Sequence, residues 1–448
     1  MRSSPVRSLL VLLAGLLGLS VLAAPAASAA PHPGYTIVAP ALTPLTVGGA
    51  PARLLTGELA GAGYAIEVPP RWNGRLVMWE HGFRGDGPLL TVDPPAFGLR
   101  QRFLDEGYAW AASSYDRNGY DVASGVRSTR ELVAEFGSLV GRPSRTYLAG
   151  VSMGGHVIGR SLEQYPGLYS GALPMCGVLG DHDLFDYFLD HQLSAQALTG
   201  VHSYPPGPDY TTTVLPALYA GLGLAPGNPA VTTPAAQQLR AETVLDSGGN
   251  RPGAEAAFSF WKDFLFGIVA PNTAPTPVTG VALSPLVVAT NVRHDYAPDT
   301  PVNLDATVQR VRPADPAARF SRALTPVAQI VGRPRVPVVT LHGIGDLFVP
   351  ISMEQIYARE VGDGPLVQRA IRTTGHCEFS AVEAGTAWDD LVAWTDGGHR
   401  PAGDRVTDAK TVAAATFGCR FSDPAAFAAS GPPSATDTRR LFAACPTT

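Results

Sequence analysis

The 448-residue sequence predicts an α/β protein: a mostly parallel central sheet, helices on both faces, and an inserted, mainly helical cap. Three observations carry this. Strand-like and helix-like segments alternate from about residue 62 to 178 and again from about 336 to 395, the pattern of a parallel sheet covered on both faces. Between them the alternation stops for roughly 145 residues, about 181 to 325, where helical pieces are joined by proline-rich links. Finally, an apolar strand runs into a glycine bend with one serine at its apex, Gly150-Val151-Ser152-Met153-Gly154, and a helical pattern follows.

The elements follow in order. Arg2, Arg7, the apolar run SLLVLLAGLLGLSVLAA and the small residues Ala27-Ser28-Ala29 read as a secretion leader over residues 1–30. The run is short for a membrane span, no cysteine near the cut would carry a lipid, and no later segment is apolar for long enough to cross a bilayer. Residues 31–55 are rich in Pro, Ala and Thr and read as irregular. AGYAIEVPPRW is a strand ending at the Asn73-Gly74 turn, and RLVMWEHGF is an apolar strand closing on His81-Gly82. FGLRQRFLDEGY is a helix, AWAASSY a buried strand, and DRNGYD a turn. Residues 124–140 form a helix with Leu132, Val133, Phe136 and Leu139 on one face. RTYLAGV is a strand, the helix after the bend starts at Gly155, and GALPMCGV is the next strand.

In the insertion, LFDYFLDHQLSAQAL and AEAAFSFWKDFLFGIV read as helices. The alternation then resumes with the strand VPVVTLHG, the helix SMEQIYAREV, the strand LVQRAIR and the helix AVEAGTAWDDLVAWT. The expected organisation is a core in two parts, 31–180 and 326–410, with the cap at 181–325 between them and a C-terminal extension over 411–448.

The formal net charge is −5, and the leader contributes two arginines and no acid, so the remaining chain is more acidic still. This balance argues against nucleic acid or an anionic membrane surface as partner. The four cysteines, Cys176, Cys377, Cys419 and Cys445, suggest two disulfides in an exported chain. Cys419 and Cys445 share the tail and pair there, leaving Cys176 with Cys377. No two of them have a metal-ligand spacing.

The sequence around Ser152 fits G-x-S-x-G in strand–turn–helix context, where glycines at 150 and 154 leave room for the bend and a strained backbone projects the hydroxyl. A serine hydroxyl is a poor nucleophile until a base takes its proton. His376, in the loop after the last predicted strand, is the expected base. His81 and His342 precede glycines at strand ends and read as structural, and His156 sits on the helix after the serine and points elsewhere. Asp346, just beyond the penultimate strand, is the expected carboxylate that holds the imidazole in its tautomer. Asp181 and Asp183 are rivals for that role. Two N–H groups should receive the oxyanion, those of Met153 and Phe83, each able to lower the barrier by about 3–4 kcal/mol.

HGF, GVSMGG, HGIGDLFVP and GHCEF, in this order, resemble the α/β-hydrolase superfamily over about 31–180 and 326–400. PPRWNGRLV, and a cysteine directly after the histidine, resemble secreted carboxylesterases of the tannase and feruloyl-esterase kind. Those relatives carry a second cysteine immediately before the nucleophile, where this chain has Val151; Cys176 is placed to do a similar job from the next strand. The resemblance implies a secreted serine hydrolase of small or oligomeric carboxylic esters, needing no cofactor and no metal.

Two other readings compete: a capped exopeptidase, with Asp183 or Asp186 holding a peptide terminus, and a non-catalytic binding protein. The acids and histidines of DHDLFDYFLDH read as the solvated face of a cap helix whose Leu184, Tyr187, Phe188 and Gln192 pack, not as a metal site. The aromatics Trp79, Phe83, Tyr115, Phe258, Phe260, Trp261 and Phe264 read as core more readily than as a substrate pocket. Oligomeric state and acyl or alcohol specificity are not written in any motif.

Overall fold

The computed structural model describes residues 30–269, 285–427, 438–442 and 445–446. The expected leader lies outside the described residues, apart from Ala30. Eight strands of the described residues form one sheet: β1 (Arg53–Leu59), β2 (Ala62–Val68), β3 (Arg75–Glu80), β4 (Ala109–Ser113), β5 (Arg145–Val151), β6 (Gly171–Met175), β7 (Val338–Gly343) and β8 (Leu366–Ile371). Their order across the sheet is β8-β7-β6-β5-β3-β4-β2-β1. Only β1–β2 and β2–β4 are antiparallel; every other pair is parallel.

The parallel strands are covered on both faces, so β4, β6, β7 and β8 are buried along their whole length. On one face lie helices α1 (Leu99–Asp105) and α9 (Ala381–Gly397); on the other lie α2 (Val122–Leu139), α3 (Met153–Gln164) and α8 (Ser352–Val361). Trp388 of α9 is wholly buried and meets the rings of Phe103, Tyr108 and Tyr147 with centroids 4.6, 5.2 and 5.3 Å apart. Truncating such a side chain costs about 3–5 kcal/mol. Asp121 caps α2, its Oδ1 accepting from the N–H of Ser124 at 2.9 Å.

The chain leaves the sheet after β6 and returns at β7. In between, α4 (Asp183–Thr199), α5 (Leu215–Leu222), α6 (Pro234–Asp246) and α7 (Ala254–Ile268) pack around an apolar cluster that includes Phe185, Phe188, Leu218, Leu239, Phe258 and Phe266 and runs on into Val122, Val126, Met153 and Val157 of α2 and α3. The expected solvated face of α4 is not there. Leu184, Tyr187, Phe188 and Gln192 are buried, but so are Asp190 and His191, at 3% and 1% exposure. α4 is surrounded by α5, α6 and α7 and is enclosed rather than amphipathic.

Three of these elements were not anticipated, besides several short strands and helical turns outside the sheet. β1 lies partly within a stretch that reads as irregular, and it is an edge strand, half exposed along its length. α5 and α6 are the other two. The start of α6 did carry a signal: Thr233 accepts from the N–H of Ala236 at 3.1 Å and Pro234 holds the first helical position. In the tail, Cys419 is bonded to Cys445, and Phe442 packs against Ile344, Ile351 and Phe417.

Candidate active site

Register places Ser152 at the centre of the sheet. β5 is flanked by β3 and β6, with Glu80 opposite Gly150 and Met175 opposite Val151. The chain then turns at once into α3, and Ser152 takes φ 57°, ψ −125°, a region that L-residues rarely occupy. The glycines make this turn possible. A β-carbon at Gly150 or Gly154 would lie 2.4 or 2.3 Å from the carbonyl oxygen of Glu80, and one at Gly155 would lie 2.4 Å from Gly177 Cα. The crowding is therefore against the neighbouring strand end as much as between β5 and α3. α3 itself starts at Met153, two residues earlier than expected.

His376 and Asp346 reach the same rim from the loops after β8 and β7. The Oγ of Ser152 is 2.9 Å from His376 Nε2, and His376 Nδ1 is 2.6 Å from Asp346 Oδ2. Asp346 is fully buried, and its Oδ1 accepts from the N–H groups of Phe348 and Val349 at 2.9 and 3.1 Å. With both oxygens engaged, the carboxylate has one orientation in which to meet the imidazole. Asp181, the rival acid, accepts instead from the N–H of Ile330 at 2.8 Å and pairs with His182 at 2.7 Å.

The other histidines near the strand ends have structural partners. His81 has its two ring nitrogens against the Gly82 and Ser114 carbonyls, of which the neutral ring donates to one, and burial holds its imidazole down to about 3. His156 bonds the Tyr120 hydroxyl at 2.9 Å and the Ala328 carbonyl at 2.6 Å; burial lowers it to about 4. His342 lies against Glu354 and the Val349 carbonyl.

The loop expected to supply an N–H lies against the serine: a β-carbon at Gly82 would sit 3.0 Å from Ser152 Cβ and 3.4 Å from its Oγ. Met153 opens α3, where the first N–H groups lack intrahelical acceptors and the helix dipole is positive. Phe83 is 41% exposed at the mouth of this loop.

Cys176 and Cys377 are joined, with Cα atoms 5.2 Å apart, and Cys377 Sγ is 3.3 Å from His376 Nε2. The bridge ties the histidine loop to the end of β6, beside the bend.

The cap supplies what the motifs did not reveal. Tyr187 donates to the Leu347 carbonyl at 3.2 Å, Arg251 to that of Ile344 at 2.5 Å, and Trp261 to those of Gly345 and Thr374 at 3.1 and 2.8 Å. Both loops that carry the acid and the imidazole are thus held from above. Phe348 packs its ring 4.7 Å from that of His376 and 4.5 Å from that of Phe264, with Trp261 and Phe188 behind at 6.4 and 6.2 Å. Of the aromatics read as core, Trp79, Tyr115 and Phe258 are indeed buried; Phe83 and Phe260 are exposed, and Trp261 and Phe264 belong to this wall.

The strand order, antiparallel only at β1 and β2, and the sharp strand–serine–helix turn at the end of the central strand decide the architecture. The chain has the α/β-hydrolase fold.

No family model matches the chain. It is 24% identical over 415 residues to an o-phthalyl amidase of Xanthobacter agilis, covering 76% of this chain and 86% of that protein. Among solved structures it is similar to feruloyl esterase B from Aspergillus oryzae, with 14% identity, coverage of 81% and 86% of the two chains, and a TM-score of 0.42. It is also similar to an acylaminoacyl peptidase, with 11% identity and a TM-score of 0.35, covering 73% of this chain but only 37% of that longer one. The hydrolase fold therefore stands on the strand order and the turn, and these proteins span ester, amide and peptide chemistry. Among the described residues no helix is long and apolar enough to cross a membrane.

Proposed function

We propose that this protein is an exported serine hydrolase that cleaves carboxylic ester bonds through an acyl-enzyme. The observation that carries the reading is the continuous contact from Ser152 Oγ through His376 to Asp346, at 2.9 and 2.6 Å. In the tautomer with the proton on Nδ1, His376 donates to Asp346 and leaves Nε2 free to accept the serine proton.

Attack of Oγ on the acyl carbon passes that proton to Nε2 and develops negative charge on the carbonyl oxygen. The N–H groups of Met153 and Phe83 are the assigned donors to it. Collapse breaks the C–O bond, and the imidazolium returns its proton to the departing alcohol. Water then repeats the sequence on the acyl-serine, releasing the acid. Every proton moves among Ser152, His376, substrate and the attacking water, so this scheme needs no metal. The two disulfides fit an oxidising compartment.

A second reading is amide cleavage by the same groups, favoured by the likeness to the amidase. The exopeptidase form of it is less well supported, because Asp186 is already engaged: Arg319 donates to its two oxygens at 2.8 and 2.7 Å, and the N–H of Thr290 at 2.8 Å. A panel of nitrophenyl esters of increasing acyl length, methyl ferulate, a phthalyl anilide and an aminoacyl nitroanilide tests the assignment. Ester turnover with little on the amides is expected. Turnover on the amides alone would overturn it.

A further inference from the structure

Far from Ser152 in sequence, the cap buries a second polar cluster, several of whose atoms make no hydrogen bond. α4 and α6 pack together, and each turns a pair of polar residues one turn apart toward the other: Asp190 and Ser194 from α4, Glu242 and Asp246 from α6. His294 closes the cluster from a third segment. Its Nδ1 lies 3.4 Å from Asp190 Oδ2, and its Nε2 lies 3.3 Å from Asp246 Oδ1 and 4.0 Å from Glu242 Oε1. One donor atom from each of Asp190, Asp246 and His294 falls within a 4.8 Å span.

Glu242 is 1% exposed, and neither of its oxygens makes a hydrogen bond; Ser194 Oγ makes none either, while His294 Nε2 has only its ion pairs with Asp246 and Glu242. Three polar atoms without a hydrogen bond at one buried spot are exceptional, since nearly all such atoms in folded proteins find partners. Three carboxyl groups face one imidazole, which ion-pairs with them. Arg310 does not help: it donates to the carbonyls of Asn291 and His294 and pairs with Asp305. Meanwhile Asp190 Oδ1 accepts from the Tyr296 hydroxyl at 2.6 Å, and Asn291 donates to that hydroxyl at 2.7 Å. This is the outer hydrogen-bonding that orients a ligating carboxylate.

We propose that Asp190, Glu242, Asp246 and His294 form a divalent-cation site that pins α4, α6 and the 291–296 segment together. Three oxygens and one imidazole nitrogen suit Zn²⁺ or Mn²⁺ better than Ca²⁺, which favours six to eight oxygens. The site uses none of Ser152, His376 and Asp346 and does not rest on the hydrolase reading.

The test uses the full chain stripped with chelator, then titrated with ZnCl₂, MnCl₂ and CaCl₂ by calorimetry, with metal content and thermal melting measured in parallel. One Zn²⁺ or Mn²⁺ per chain and a melting temperature several degrees higher are expected. The near-isosteric Glu242→Gln should weaken binding by about 10–100-fold, the range seen for losing even an outer-shell partner, whereas Ser152→Ala should bind as the wild type does. Absence of Zn²⁺ and Mn²⁺ binding by the wild type, which needs no variant to fold, would overturn the site. So would preferential Ca²⁺ binding, or affinity unchanged in both Glu242→Gln and His294→Ala.

Discussion

The indole N–H of Trp261, in cap helix α7, donates to the carbonyl of Thr374, two residues before His376, at 2.8 Å. The same N–H reaches the carbonyl of Gly345, next to Asp346, at 3.1 Å. One cap side chain thus spans the two loops whose side chains must meet. Replacing it by phenylalanine keeps most of the apolar contact with Phe264 and Phe348 but leaves two carbonyls without this donor. Trp261→Phe should lower kcat on a short-chain nitrophenyl ester by roughly 10–100-fold, since misplacing a reacting group by about 1 Å costs that much. KM should change less than kcat. A fall in KM affinity alone would mean that Trp261 only lines the pocket.

The glycine at 154 makes a second prediction. Its missing β-carbon would sit 2.3 Å from the Glu80 carbonyl, which is strand backbone and cannot swing aside. Gly154→Ala should therefore destabilise the fold by at least about 1–3 kcal/mol, the usual result of overpacking. Urea midpoints of the two proteins give the comparison, and an unchanged midpoint would show that the turn has slack.

The Cys176–Cys377 bond restrains the loop of His376 from a neighbouring strand end. Mild reduction should remove turnover of a nitrophenyl ester before it lowers helix content by circular dichroism. If both fall together, the bond is only a global tether.

The buried imidazole of His156 gives a pH prediction. Its folded value of about 4 lies below the ordinary 6.5, so on acidification the unfolded chain takes the proton first. The stability it contributes is complete above 6.5 and is lost as pH falls toward 4, by at most about 1.4 kcal/mol per pH unit. Buried carboxyls such as Glu80, lifted to about 7, act in the opposite sense, so the comparison must be with a variant. The stability gap between wild type and His156→Gln should narrow as pH drops from 7 to 4.5. A constant gap would mean that His156 is not buried in its neutral form.

Much of this was written in local patterns. β3 to β8 and the helices beside them followed from runs with period 2 or 3.6 and from the glycine bend, because buried parallel strands are apolar throughout. Ser152, Asp346 and His376 could be chosen because each sits just past a strand end, and the structure brings them within hydrogen-bonding distance. β1 was hidden because a half-exposed edge strand with Gly57 inside it has no clean alternation. The helix holding Asp190 read as solvated because nothing local says that α5, α6 and α7 will enclose it. Tyr187, Arg251 and Trp261 were illegible as supports for the acid loop, since their acceptors lie 160, 93 and 84 residues away.

The shortest route to the central claim is covalent capture with a fluorophosphonate, read by intact mass and peptide mapping. One adduct per chain is expected, on the peptide that contains Ser152. It should be absent in Ser152→Ala and slower by about 10³-fold or more in His376→Ala. Labelling of a different serine, or equally fast labelling once Ser152 is removed, would contradict the account.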